Sequence, residues 1–145
     1  MPELTEKERE ELEKSLLELN RGGALLEALS KQIALLNASL SELSLTMETI
    51  KKLKEAPEGA EILTPIGSGS FVKARLMPLE KVLTGVGAEV VVERTPEEAL
   101  KFLEEKSSEL GKAIQDLRAE MARLAQRMEA LRPEVERLLS KTREK

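Results

Sequence analysis

The chain has 145 residues, with 27 acidic against 23 basic side chains, no histidine and a net charge of −4. It holds no cysteine, tryptophan or tyrosine, and its aromatic residues are Phe71 and Phe102. This composition excludes a thiol or imidazole nucleophile, a disulfide frame and an ordinary zinc, copper or haem site. Its acidic balance also argues against a nucleic-acid partner, since such binders carry a basic excess. No apolar run approaches the roughly 18 residues of a membrane span, and the first residues are too acidic for a signal peptide. The expectation is a soluble, cytoplasmic protein without membrane contact. Its richness in Ala, Glu, Lys, Leu and Arg points to long helix and coiled coil.

The first part, residues 1–56, reads as one helix. Thr5 and Glu8 have capping-box spacing, and Glu6, Glu8, Glu10 and Glu11 favour the positive helix N-terminus. Apolar residues recur at Leu12, Leu16 and Leu19, then at Leu26, Leu29, Ile33, Leu36, Leu40, Leu43, Met47 and Ile50. Alternating gaps of four and three are the heptad pattern of a coiled coil. Lys51, Lys52 and Lys54, followed by Pro57 and Gly59, mark the helix end. Around Gly22 and Gly23 the heptad slips by two successive gaps of three. That stammer is either a tolerated irregularity or a hinge at the weakest point of the helix.

The middle part, residues 57–94, is rich in Pro, Gly and β-branched residues. Glu61–Ile66 and Phe71–Leu76, joined through Gly67–Ser70, read as a β-hairpin. Lys81–Thr84 and Glu89–Glu93, joined through Gly85–Ala88, read as a second. Pro65 inside a strand requires an edge position or a bulge. Isolated two-stranded hairpins are marginal in water, and their open edges are templates for association. The hairpins are therefore expected to pair with equivalent hairpins of other subunits, through Ile62, Leu63, Ile66, Phe71, Val72, Leu76, Val82, Leu83, Val90, Val91 and Val92. A self-contained sheet packed on the helix ends is the other reading.

The last part, residues 95–145, is a second helix. Thr95 suits the N-cap, Pro96 the first helical position, and Glu98 completes a second capping box. Heptad positions fall at Leu103, Ser107, Leu110, Ile114, Leu117, Met121, Leu124, Met128, Leu131, Val135 and Leu138. Pro133 should kink or restart the helix. The fold class is thus mainly α: a long antiparallel coiled-coil hairpin with two β-hairpins at its base that join an oligomeric body, as a larger sheet or a β-barrel. Placing Leu53 opposite Glu98 sets Gly22 and Gly23 near Glu129, close to Pro133, so that Gly22, Gly23 and Pro133 form a candidate hinge. The arm would be roughly 70–80 Å long at 1.5 Å per residue.

No chemical motif survives inspection. Gly67-Ser68-Gly69-Ser70-Phe71-Val72 opens like a dinucleotide fingerprint, but Val72 stands at the third glycine position and a strand follows. The carboxylates lie among Lys and Arg on helix faces, as in solvated ion-pair faces. Neither an enzyme activity nor any cofactor or metal is expected.

The strings Ile62–Ala74 (ILTPIGSGSFVKA), Val82–Ala88 and Val91–Thr95 resemble the alpha class of the prefoldin family. The resemblance covers essentially the whole chain, and its specific part is the Pro65–Ala74 string, since heptads alone are generic. It implies a hexamer of two alpha and four beta subunits whose hairpins form a double β-barrel. It further implies coiled-coil tentacles that hold unfolded polypeptides without ATP and pass them to a group II chaperonin. Client-binding tips would lie at both ends of the chain, with Leu4, Leu12, Leu16, Leu17, Leu131, Val135, Leu138 and Leu139 as candidates. Most of these are also seam positions, and the alternative is that they simply finish the coiled coil. A homomeric, filament-forming assembly of alpha-like subunits is the second functional reading.

Overall fold

The computed structural model of the protein describes residues 4–143. It holds two long helices with two antiparallel β-hairpins between them: α1 (Glu6–Glu55), β1 (Glu61–Gly67), β2 (Ser70–Arg75), β3 (Val82–Gly87), β4 (Val90–Arg94) and α2 (Pro96–Arg143). The fold is mainly helical, and the described residues contain no closed barrel.

Helix α1 starts at the expected capping box. The Glu8 N–H donates to Thr5 Oγ1 at 3.1 Å, and the Thr5 N–H donates to Glu8 Oε1 at 3.2 Å. Two of the four orphan amides of the first turn are thereby satisfied. Helix α2 begins with Pro96, and the Glu98 N–H donates to Thr95 Oγ1 at 3.2 Å. It continues as helix through Pro133 to Arg143.

One buried or half-buried row runs along α1 through Leu12, Ser15, Leu19, Gly22, Leu26, Leu29, Ile33, Leu36, Leu40, Leu43, Met47 and Ile50, with Glu8, Glu11, Asn37 and Leu53 the other half-buried positions of the helix. The spacing of that row alternates three and four without interruption, so the slip expected at Gly22 and Gly23 does not occur. Ser15 and Gly22 hold the seam positions there, and Leu16 stands outside it, 43% exposed. The physical reason is that a coiled coil keeps one register along its length. Two small residues inside that register are tolerated more readily than a shift of every layer beyond them. On α2 the expected seam from Leu103 to Leu138 is the observed one.

The chain forms two compact units, Met1–Ala38 with Gly111–Lys145, and Ser39–Leu110. In the first, the terminal unit, Leu12 packs with Val135 and Leu138, backed by Leu4, Leu19 and Leu139. In the second, the hairpin unit, Ile50 packs with Ala99 and Leu103, backed by Leu43, Met47 and Val82. Early residues of α1 meet late residues of α2 in one unit, and the converse holds in the other. The helices are thus antiparallel within each.

Each hairpin is a separate two-stranded sheet. In β1–β2 the register runs from Glu61 opposite Arg75 to Pro65 opposite Phe71, then shifts so that Gly67 faces Ser70. In β3–β4 it runs from Val82 opposite Arg94 to Gly85 opposite Val91, then shifts so that Gly87 faces Val90. The four-residue turns expected from the sequence are therefore tighter. Two residues turn each chain, Ser68-Gly69 and Ala88-Glu89, all four with positive φ as a type I′ turn requires. Gly67 and Gly87, at φ 113° and 101°, take up the bulge before each turn. Pro65 lies beside such a bulge in a strand whose other edge is free, which a residue without an N–H demands.

Candidate functional site

Two regions carry the candidate residues: the terminal unit and the hairpins. In the terminal unit the seam claims most of the tip candidates. Leu12, Leu131, Val135 and Leu138 are buried, Leu138 completely. Leu4 and Leu139 are half-buried and pack against that cluster. Leu16 and Leu17 stay outside, at 43% and 50% exposure. Opposite Gly22, Met128 leans into the space that a side chain would fill: a Cβ there would stand 2.8 Å from its sulfur. Gly23 faces open space. Pro133 is exposed.

Sequence reasoning overlooked the charges that tie this unit together. Lys141 Nζ donates to Glu8 Oε2 at 2.6 Å, while Oε1 of the same carboxylate accepts the Thr5 N–H. Glu8 therefore joins the cap of α1 to the last turns of α2. The Lys141 hydrogen bond, then the Thr5 amide, lower the pKa of Glu8 from the ordinary glutamate value. One helical stretch inward, Arg127 grips Glu18 with both ends of its fork, Nε to Oε1 at 2.8 Å and Nη2 to Oε2 at 3.3 Å. That hydrogen bonding lowers the Glu18 carboxyl pKa and raises that of the Arg127 guanidinium. The pairing follows from antiparallel register, which one helix alone does not display.

In the hairpin unit the expected association residues divide by position. Ile62, Leu76, Val82 and Val92 are half-buried, whereas Leu63, Ile66, Phe71, Val72, Leu83, Val90 and Val91 are exposed. Side chains alternate across a strand and directly paired residues share a face. Ile62, Thr64, Val72 and Ala74 thus share one face of the first hairpin, with Leu63, Pro65, Phe71 and Lys73 on the other. Apolar side chains on both faces of an otherwise bare ribbon call for cover on both sides. Phe71, at 56% exposure, is the largest of them.

The second hairpin is fastened on one face. Thr84, only 8% exposed, donates to the Val92 carbonyl at 3.1 Å and accepts from Arg94 Nε at 2.9 Å. The Arg94 guanidinium lies 4.2 Å from the centre of the Phe102 ring, and Lys106 Nζ lies 5.1 Å from it. A cation–π stack of this kind orients the hairpin on α2. Phe102 escaped sequence reasoning because it flanks the seam at Leu103. Its being one of two aromatics in the chain was the available signal. Beside it lies a groove of about 640 Å³ lined by Leu43, Ile50, Val82, Thr84, Phe102 and Leu110. The opposite face, with Leu83 and Val91, remains open.

Among the described residues no group of acidic side chains is placed to hold a metal ion, and no helix is long and apolar enough to cross a membrane. What the two regions define is a two-helix coiled-coil chain carrying two hairpins with exposed apolar side chains. The prefoldin subunit family model matches residues 23–141. The chain belongs to the prefoldin family.

It is 38% identical to prefoldin subunit alpha of Methanopyrus kandleri over 105 residues, covering 72% of this chain and 67% of that one. It is 33% identical to prefoldin subunit alpha of Methanosphaera stadtmanae over 135 residues, covering 93% and 96%. Among solved structures, the filamentous PFD from Methanocaldococcus jannaschii, seen by cryo-EM, superposes with a TM-score of 0.73 at 31% identity. That match covers 81% of this chain and 97% of the other. The prefoldin beta subunit from Thermococcus strain KS-1 shares the fold, with a TM-score of 0.56 at 15% identity over 93% and 94% of the two chains. Prefoldin subunits are oligomeric chaperone components without enzymatic activity, and this chain is a subunit of that kind.

Proposed function

We propose that the chain is the alpha subunit of an ATP-independent chaperone that captures unfolded polypeptides and delivers them to a group II chaperonin in the cytoplasm. Its hairpins join those of beta subunits, two alpha to four beta, in a double β-barrel body. The terminal coiled coil supplies the client-holding tip, through Leu4, Leu12, Leu16, Leu17, Leu131, Val135, Leu138 and Leu139. Gly22, Gly23 and Pro133 form the place where that coil bends: the two glycines lower helix propensity, and the proline removes a backbone donor.

One observation carries the reading. The hairpins expose Leu63, Phe71, Val72, Leu83 and Val91 while leaving their strand edges unpaired. A protein acting alone would gain nothing from such a surface, and association would bury it. The 31% identity to a filamentous PFD supports a second reading, in which the same hairpins join copies of this chain into a homomeric assembly. Mass measurement of the chain alone and mixed with a beta subunit separates the two. A defined complex of two alpha and four beta chains that suppresses aggregation of an unfolded test protein is the expected result. A polymer of the chain alone that ignores the beta subunit would overturn the first reading in favour of the second.

A further inference from the structure

We infer that the terminal unit is a charge-clamped element, held closed by the ion pairs Glu8–Lys141 and Glu18–Arg127 across a seam that its own residues leave weak. The use of the clamp rests on the client reading above; its mechanism does not.

The weakness is local. Along α1 from Leu12 to Gly22, the seam positions are Leu12, Ser15, Leu19 and Gly22. Half of them are residues that bring almost no apolar surface to the contact. On the facing helix, Pro133 has no N–H to offer the carbonyl of Glu129, so one ladder bond of α2 is missing in the same stretch. Closure there cannot rest on leucine packing alone.

One ion pair lies within this stretch and the other just beyond its outer end. Arg127 holds Glu18 beside the Gly22–Met128 contact, and Lys141 holds Glu8 beyond Leu12. Glu8 has both carboxylate oxygens engaged, one by the α1 cap and one by Lys141. Lys141 thus holds the same carboxylate that caps α1, and fixes the first turn of α1 against the last turns of α2.

Magnitude decides whether this matters. Exposed ion pairs contribute little to a whole protein, but helix ends open locally at small free-energy cost, where a small term changes the open population severalfold. Opening uncovers Leu12, Leu131, Val135 and Leu138, the apolar side chains that the closed seam buries. In the closed state α2 occupies the surface of α1 that a client would use, and a client segment competes with it.

The test is amide hydrogen exchange of residues 12–19 and 131–138 in the assembled protein, across a range of KCl concentrations. The double variant Lys141→Gln with Arg127→Gln should exchange roughly two- to fivefold faster at low salt. Exchange in the unmodified protein should quicken with salt, while that of the variant should not. The charge-keeping variant Lys141→Arg, with Arg127 left in place, should stay near the unmodified rate. Equal rates and equal salt dependence in the Gln variant and the unmodified protein would overturn the clamp. Protection of an unfolded test protein is measured in parallel. Faster exchange with altered protection supports clamp and client reading together; faster exchange with unchanged protection keeps the clamp and overturns the client reading of these leucines.

Discussion

A methyl group at Gly22 would meet the Met128 sulfur at 2.8 Å, whereas at Gly23 it would meet nothing within 4 Å. Both glycines weaken a helix, and relief of that cost by alanine is about 0.5–1 kcal/mol. Gly23→Ala should gain about that amount, as should Gly111→Ala, which also faces open space within a helix. Gly22→Ala should gain less, because the flexible Met128 side chain has to move aside. Thermal unfolding of the three variants checks this, and equal gains at Gly22 and Gly23 would remove Gly22 from the seam. The sequence displayed the pair as a weak point and could not say which member faces the partner helix. Periodicity counts apolar side chains, and a seam position held by Gly or Ser carries none to count. Leu16 drew the reading away from Ser15 for the same reason.

At the scale of elements, the Thr5–Glu8 capping box, the Thr95 N-cap and the α2 heptad were legible because each depends on residues within one or two turns. The hairpins were legible as hairpins, since turn residues and β-branched runs are local signals. Their turn geometry was not. Ala88 and Glu89, at φ 49° and 62°, lie in a region that disfavours side chains, by roughly 1–2 kcal/mol per residue. The strain survives because Gly87 and the β3–β4 pairing fix the turn from both sides. Replacing the two by Asn-Gly, the pair that suits a type I′ turn, should stabilise the second hairpin by about 1 kcal/mol or more. Hydrogen exchange across β3 and β4 would register the gain. An unchanged or faster exchange would show that the turn is not the strained one described. Arg94, Thr84 and Phe102 could not be linked from sequence, because their contact needs the hairpin laid on α2.

For the whole molecule, the string from Pro65 to Ala74 carried the family, and the family match to residues 23–141 agrees with it. Composition had already removed catalysis by thiol or imidazole, and the function proposed above needs neither: it asks only for surfaces that associate and surfaces that hold. What stayed illegible depends on contacts between distant segments. The ion pairs Glu8–Lys141 and Glu18–Arg127 join residues 133 and 109 positions apart. Which leucines of the terminal unit are free and which are committed was fixed by that same register.

The central claim is that the chain ends hold clients while the hairpins assemble the complex. It is tested most directly by removing residues up to Gly22 together with those after Arg132, and following aggregation of an unfolded test protein with the assembled complex. The truncated complex should keep the mass expected for its shortened subunits and lose its protection of the test protein. Protection equal to that of the full-length complex would contradict the account.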